Sequence, residues 1–163
     1  MRKLLLPLTG AAFLWSGIAA ADHFTATCEC GKPDSQLLLP AGDRPDHVLG
    51  VEALKCGWSK PLEIGGDKTK ESVATEIVEV SGNKFHIRSG VHMLTMQSGD
   101  KVALPYQGSG TSKDNQESLS KGAFTFADGT GKLKGVKGKG TFSCKSAGEG
   151  VSCQVEGDYE PGK

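Results

Sequence analysis

The side chains with the most position-dependent chemistry in this chain are five cysteines, at 28, 30, 56, 144 and 153, and four histidines, at 23, 47, 86 and 92. Cys28 and Cys30 form a C-x-C pair, and thiolates suit Zn or Cu(I). The second C-x2-C of a structural zinc site is missing, as is C-x-x-C-H, so the sequence indicates neither a metal nor a c-type haem. Two structural disulfides are the stronger reading. Thr141, Phe142, Ser143, Cys144 and Lys145 alternate in polarity, and so do Val151, Ser152, Cys153, Gln154 and Val155. A two-residue turn at Gly148 and Glu149 sets Cys144 opposite Cys153, Phe142 opposite Val155 and Gly140 opposite Gly157. Opposed Cα atoms lie about 4.5–5.5 Å apart, which is within disulfide reach. Residues i and i+2 of a strand share a face, so either Cys28 or Cys30 can reach Cys56, leaving one thiol over.

The histidines carry no catalytic signature. His47 lies near Asp43 and Asp46, but sequence neighbours seldom form working acid–base pairs, and a catalytic assignment needs geometry first. His92 reads as a cross-strand partner of Tyr106. No catalytic residue, metal site or cofactor is assigned from these residues.

The elements that must position these side chains are short and β-rich. Turn clusters recur about every ten residues, and no stretch beyond the N-terminus keeps a capped 3.6-residue apolar period, the pattern of a sandwich or barrel. Expected strands span 24–30, 51–56, 71–80, 84–88 and 119–126. A hairpin is expected from 92–97 and 101–106 around Ser98, Gly99 and Asp100. A three-residue loop there pairs Met96 with Val102, Leu94 with Leu104 and His92 with Tyr106, gathering large apolar side chains on one face. Pro105 lacks an N–H and is expected at an edge or bulge. Residues 31–50, with Pro33, Pro40 and Pro45, read as a long loop whose Leu37, Leu38 and Leu39 cap a barrel end or form one helical turn. Residues 60–70 read as a second loop, and 112–117 as a hairpin tip.

The N-terminus has its own logic. Arg2 and Lys3 precede a mostly apolar stretch at 4–18, and Ala19, Ala20 and Ala21 offer a small-residue cleavage site before Asp22. This is the three-part secretory signal, and the stretch is shorter than the ~20 residues of a spanning helix. No cysteine adjoins the cleavage site, which argues against a lipid anchor. Residues 1–21 are expected to be removed, leaving a single domain at 22–163, exported to the periplasm or medium, with no integral membrane segment. Arg2 and Lys3 are the only charges lost, so the remaining 142 residues carry 17 basic and 19 acidic side chains, a formal charge of −2. A near-neutral domain lacks the electrostatic footprint of a nucleic-acid binder. Nothing in the sequence specifies an oligomeric state.

From about residue 50 to 159 the chain resembles a group of small exported bacterial proteins. The likeness rests on KCGWSKP at 55–61, SGDK at 98–101 and above all FTFADGTGKLKGVKGKGTF at 124–142. The last run is similar to one in barrels resembling allene oxide cyclase and dirigent proteins, where it forms a strand, a tight turn and the next strand of an eight-stranded antiparallel barrel. The resemblance implies an all-β fold, a small antiparallel barrel, which the cysteine pairings read from the residues themselves would make disulfide-stapled. The five cysteines and the long N-terminal loop are departures from those families. It carries over no catalytic residue, since no matching motif is present. Read from the residues alone, Asp128, Gly129, Thr130 and Gly131 suit a sharp reversal, and Gly135, Gly138 and Gly140 suit strongly bent strands. Lys132, Lys134, Lys137 and Lys139 read as a solvated edge that discourages aggregation.

Small closed barrels fill with side chains or hold one small ligand. The expected role is therefore a non-catalytic small-ligand-binding or interaction protein for an apolar molecule, with Trp58, Met93, Met96, Leu37 and Leu39 as lining. The alternative is an enzyme of cyclase or isomerase type. An inward-facing buried Glu, His or Tyr in a large cavity favours the alternative, and an interior packed with Leu, Val and Phe favours the binding or scaffold role.

Overall fold

The computed structural model describes residues 21–113, 117–148 and 150–162. Residues 1–20 of the expected signal segment, residues 114–116 of the expected tip and the turn residue Glu149 lie outside the described residues. The described chain is all β: β1 (Asp22–Cys30), β2 (Ser35–Pro40), β3 (His47–Lys60), β4 (Glu63–Ile64), β5 (Asp67–Ser81), β6 (Lys84–Met96), β7 (Lys101–Lys113), β8 (Glu117–Thr125), β9 (Lys137–Ala147) and β10 (Gly150–Glu160). Its one helical element is a 3-10 turn, Gly131–Leu133.

Eight antiparallel strands close in the order β3-β1-β10-β9-β8-β7-β6-β5, with β5 returning to β3. Closure leaves these strands with no long open edge. Following one hydrogen-bonded row shows the stagger that closure imposes. Glu52 pairs with Glu76, Glu76 with Gly90, Gly90 with Tyr106, Tyr106 with Phe124, Phe124 with Gly140, Gly140 with Gly157 and Gly157 with Phe24. The row starts near the beginning of β3 and ends near the start of β1, so one row joins the two ends of the barrel.

One end is plugged. Leu62, Leu94, Met96 and Val102 are fully buried there, with Ile64, Leu133, Val136, Phe126 and Tyr159 packed around them. Each such large apolar side chain contributes about 1.5–3 kcal/mol by leaving water. The run at 126–136 helps build this plug and is not a tight strand-to-strand turn. Phe126 enters the ring cluster with Phe24, Phe124 and Tyr159, and the 3-10 turn swings Leu133 and then Val136 inward while Lys132, Lys134, Lys137 and Lys139 stay exposed. The Tyr159 hydroxyl accepts the Gly65 N–H at 2.9 Å, tying β10 to the loop that crosses the plug.

Several glycines serve as seats for inward aromatic rings more than as bends. A Cβ at Gly90 would overlap the Tyr106 ring, at Gly110 the Phe85 ring, at Gly122 the Phe142 ring and at Gly140 the Phe124 ring. Each ring thus leans over a neighbouring strand where no side chain stands.

Three sequence expectations are corrected by the register. The stretch at 31–50 is not a long loop: β2 runs through it, paired with β3 from Ser35 opposite Ala53 to Pro40 opposite Val48. Leu37, Leu38 and Leu39 lie on this strand outside the barrel ring, 49–58 % exposed, and cap nothing. The second hairpin pairs Leu94 with Val102 and His92 with Leu104, two residues from the expected register, so Tyr106 opposes Gly90 and not His92. A slip of two preserves which face every side chain takes, so the apolar pattern could not detect it. A three-residue turn placed one position earlier, at 97–99, decides it: Met96 N–H donates to Asp100 C=O at 2.8 Å, Gly99 N–H donates to Met96 C=O at 3.0 Å, and Gly99 adopts φ +91°. Pro105 sits in β7 between the start of the β8 ladder at Tyr106 and an isolated bridge at Ala103, where its missing N–H breaks no pairing with β8.

The C-terminal hairpin has the expected pairing throughout, with Cys144 opposite Cys153 and bonded to it. The second bond joins Cys30 to Cys56, and Cys28 is the free thiol. Closing a 26-residue separation stabilises the fold by about 3 kcal/mol through the unfolded chain. No described helix is long and apolar enough to cross a membrane.

Candidate functional site

Above the plug the barrel is hollow. A cavity of about 200 Å³ occupies the lumen. Its deep wall is formed by Trp58, His92, Leu104, Phe124 and Val155, and its walls toward the opposite end by Glu52, Glu76, Tyr106, Phe85, Phe142 and the Cys144–Cys153 bond. The lining is mainly apolar, with two polar clusters set into it.

The first cluster is an acid pair. Glu52 on β3 and Glu76 on β5 are directly opposed in the register, and both line the cavity. The Tyr106 hydroxyl donates to Glu76 Oε2 at 2.7 Å, and Gln36 Nε2 on β2 donates to Glu52 Oε2 at 2.8 Å. Tyr106 makes this reach across β6 because Gly90 leaves the path open. Phe142 holds the Tyr106 ring edge-on, centroids 5.8 Å apart. Burial, opposed by the Tyr106 hydrogen bond and assisted by Glu52, raises Glu76 to about 7. Burial, with Glu76 beside it, pushes Tyr106 far above its ordinary value, so it stays a hydroxyl donor.

The second cluster is neutral. Ser72 Oγ accepts the Trp58 indole N–H at 2.9 Å and bonds His92 Nε2 at 2.8 Å. The Trp58 and His92 rings stack at 5.8 Å. Burial lowers His92 to about 4, so the imidazole is uncharged at neutral pH. Its Nδ1 has no protein partner among the described residues.

The sequence-expected lining divides sharply. Trp58 lines the cavity. Met93 does not: it alternates with inward His92 and Leu94 and points outside, 37 % exposed. Met96 is inward but below the cavity floor, where it accepts the Thr69 hydroxyl at 3.8 Å. Leu37 and Leu39 face solvent from β2. Glu52, Glu76 and Ser72 were missed. Their one sequence signal is a polar residue in phase with small or apolar neighbours, as Glu76 is with Ala74 and Val78, and the other face of the same strand, Val73 and Ile77, is equally apolar.

The remaining candidates stand apart from the lumen. His47 Nδ1 bonds Asp43 at 2.6 Å and Nε2 bonds Glu79 at 2.9 Å, and Arg88 also pairs with Glu79. With both ring nitrogens engaged, His47 is a clamp at the rim and has no free nitrogen to act as a base. The hydrogen bonds to the two carboxylates raise its pKa. His23 pairs with Asp158 on the exposed surface, and His86 is exposed on β6. No group of three metal-ligating side chains converges among the described residues. Cys28 is buried, and burial raises its thiol to about 12.

Comparison of the chain with protein-family models, curated proteins and solved structures finds no match.

Proposed function

We propose that this chain is an exported binding protein that holds one small, largely apolar molecule in the barrel lumen. The observation that carries this reading is the cavity above the plug: an apolar chamber with a few convergent polar groups is the usual build of a ligand site. An apolar cavity of about 150 Å³ holds a benzene ring, so about 200 Å³ suits a ring with a short substituent. The secretory-type N-terminus supports export, and the two disulfides fit an oxidising compartment.

The test is a titration with ethylbenzene followed on the Trp58 indole N–H resonance. Saturable shifts are expected in the native protein and none in Ala74→Phe, which fills the lumen. A native protein that shows no saturable shift with ethylbenzene or with any other single-ring molecule of its size would refute the reading.

Glu76 favours a second reading, an isomerase- or cyclase-type enzyme. A carboxyl near neutrality inside an apolar chamber, beside a hydroxyl donor, has the makings of a general acid–base. Deuterium incorporation next to the carbonyl of cyclohexanone in D2O, abolished in Glu76→Gln while the ketone still binds, is the expected sign of that activity. No incorporation above the buffer rate leaves the binding role alone.

A further inference from the structure

We propose that the lumen selects an organic cation, a molecule of about one aromatic ring whose protonated amine lies against Glu52 and Glu76 and whose ring fills the chamber between Trp58, Phe124 and Phe142. This rests on the reading of the lumen as a ligand site and adds the chemical class of the ligand.

The charge inventory of the cavity is one-sided. Among the described residues its titratable lining groups are Glu52, Glu76, His92, Tyr106 and Cys28, and none is a lysine or arginine. The thiol is protonated, the tyrosine is a hydroxyl and the imidazole is neutral. Among the described residues, the charge the chamber carries near neutral pH is therefore negative, on the glutamate pair. An anion entering it would meet no cation and would lose its hydration uncompensated, whereas an ammonium would compensate a charge already buried.

Geometry gives the same answer independently of charge. Glu76 and Glu52 are held in place by Tyr106 and Gln36, so both carboxyls are oriented before a ligand arrives. Tyr106 and Phe142 stand edge to face beside them, and an ammonium near such ring faces gains a cation–π contribution. At the other end, the stacked Trp58 and uncharged His92 rings give the chamber a neutral wall that asks for no charge. The chamber is thus acidic at one end, aromatic along its length and, among the described residues, without lysine or arginine.

An ammonium against the pair favours its fully ionised form, so binding at pH 6 displaces the proton that Glu76 holds there. Affinity is expected to rise from pH 5 to pH 8 as that proton is lost beforehand.

The experiment compares three probes of one shape by calorimetry at pH 8 on the disulfide-intact protein: 2-phenylethylamine, ethylbenzene and phenylacetate. The amine is expected to bind at least tenfold tighter than ethylbenzene, and phenylacetate not measurably. Glu76→Gln and Glu52→Gln should each weaken the amine about tenfold and change ethylbenzene far less, a readout that separates lost charge from lost fold. Ethylbenzene binding as tightly as the amine, or phenylacetate binding at all, overturns the cation inference while leaving the lumen a ligand site. Failure of all three to bind removes both.

Discussion

Replacing Glu76 by Gln tests the electrostatics of the lumen directly. Gln reproduces the shape of the protonated acid, still accepts the Tyr106 hydroxyl and can donate to Glu52. The folded state raises Glu76 from 4.5 to about 7. Above pH 7 the native protein must therefore keep an ionised carboxylate where burial resists it, and below pH 4.5 folded and unfolded chains hold the same proton. At 1.36 kcal/mol per unit, the cost at high pH is about 3 kcal/mol. Glu76→Gln should then stabilise the protein by up to about 3 kcal/mol at pH 8 and by nearly nothing at pH 4.5. In melting temperature the gain at pH 8 is about 6–12 °C for a domain of this size.

His92 has the opposite sign. Its folded value, about 4, lies below the ordinary 6.5, so the unfolded chain takes up a proton that the folded chain refuses. Stability is complete above pH 6.5 and falls by about 3 kcal/mol as the pH drops toward 4. In the native protein the two slopes offset each other between pH 4.5 and 6.5, and Glu76→Gln should expose the His92 slope alone. Urea unfolding at half-unit steps from pH 4 to 9, without reductant, reads both. An equal stability difference at pH 4.5 and pH 8, or a variant less stable than native at pH 8, would refute the burial argument.

Three other outcomes follow from the same geometry. Gly90→Ala places a methyl against the Tyr106 ring and should cost about 1–3 kcal/mol; most of that loss should vanish in a Tyr106→Ala background, and an additive cycle would contradict the seating of the ring. Non-reducing peptide mapping should recover Cys30 linked to Cys56 and Cys144 to Cys153, with Cys28 alkylated only after unfolding; rapid native labelling of Cys28 would contradict its burial. In an NMR titration the His47 ring should stay protonated above pH 6.5, because hydrogen bonds to Asp43 and Glu79 raise its pKa. The stability His47 contributes is complete below its ordinary value and lost as pH rises through the raised one; that of Asp43 and Glu79, both lowered, is lost as pH falls. A His47 titration at or below 6.5 would count against the clamp.

How much was legible in the residues depends on the range of the interactions involved. Local alternation determined that the chain is β, and it determined the C-terminal hairpin, because Ser152, Gln154, Ser143 and Lys145 on one face and Cys153, Val155, Phe142 and Cys144 on the other admit one register around a short turn. It determined the cysteine partners to within one residue, since Cys28 and Cys30 share a face and only the stagger of β1 against β3 puts Cys30 opposite Cys56. It did not determine which face of β5 is inside. Val73 and Ile77 are as apolar as Ala74 and Val78, yet they end 41 % and 48 % exposed while Ser72 and Glu76 turn inward. That choice belongs to closure. The curvature of eight strands admits a ring of small residues and leaning aromatics, and Gly90, Gly122 and Gly140 lie in the same phase as Glu76 once the register is fixed around the barrel. The strands alone carry a period of two, which says that faces alternate; only the closed ring says which one encloses the cavity, and so which carboxyls are buried together.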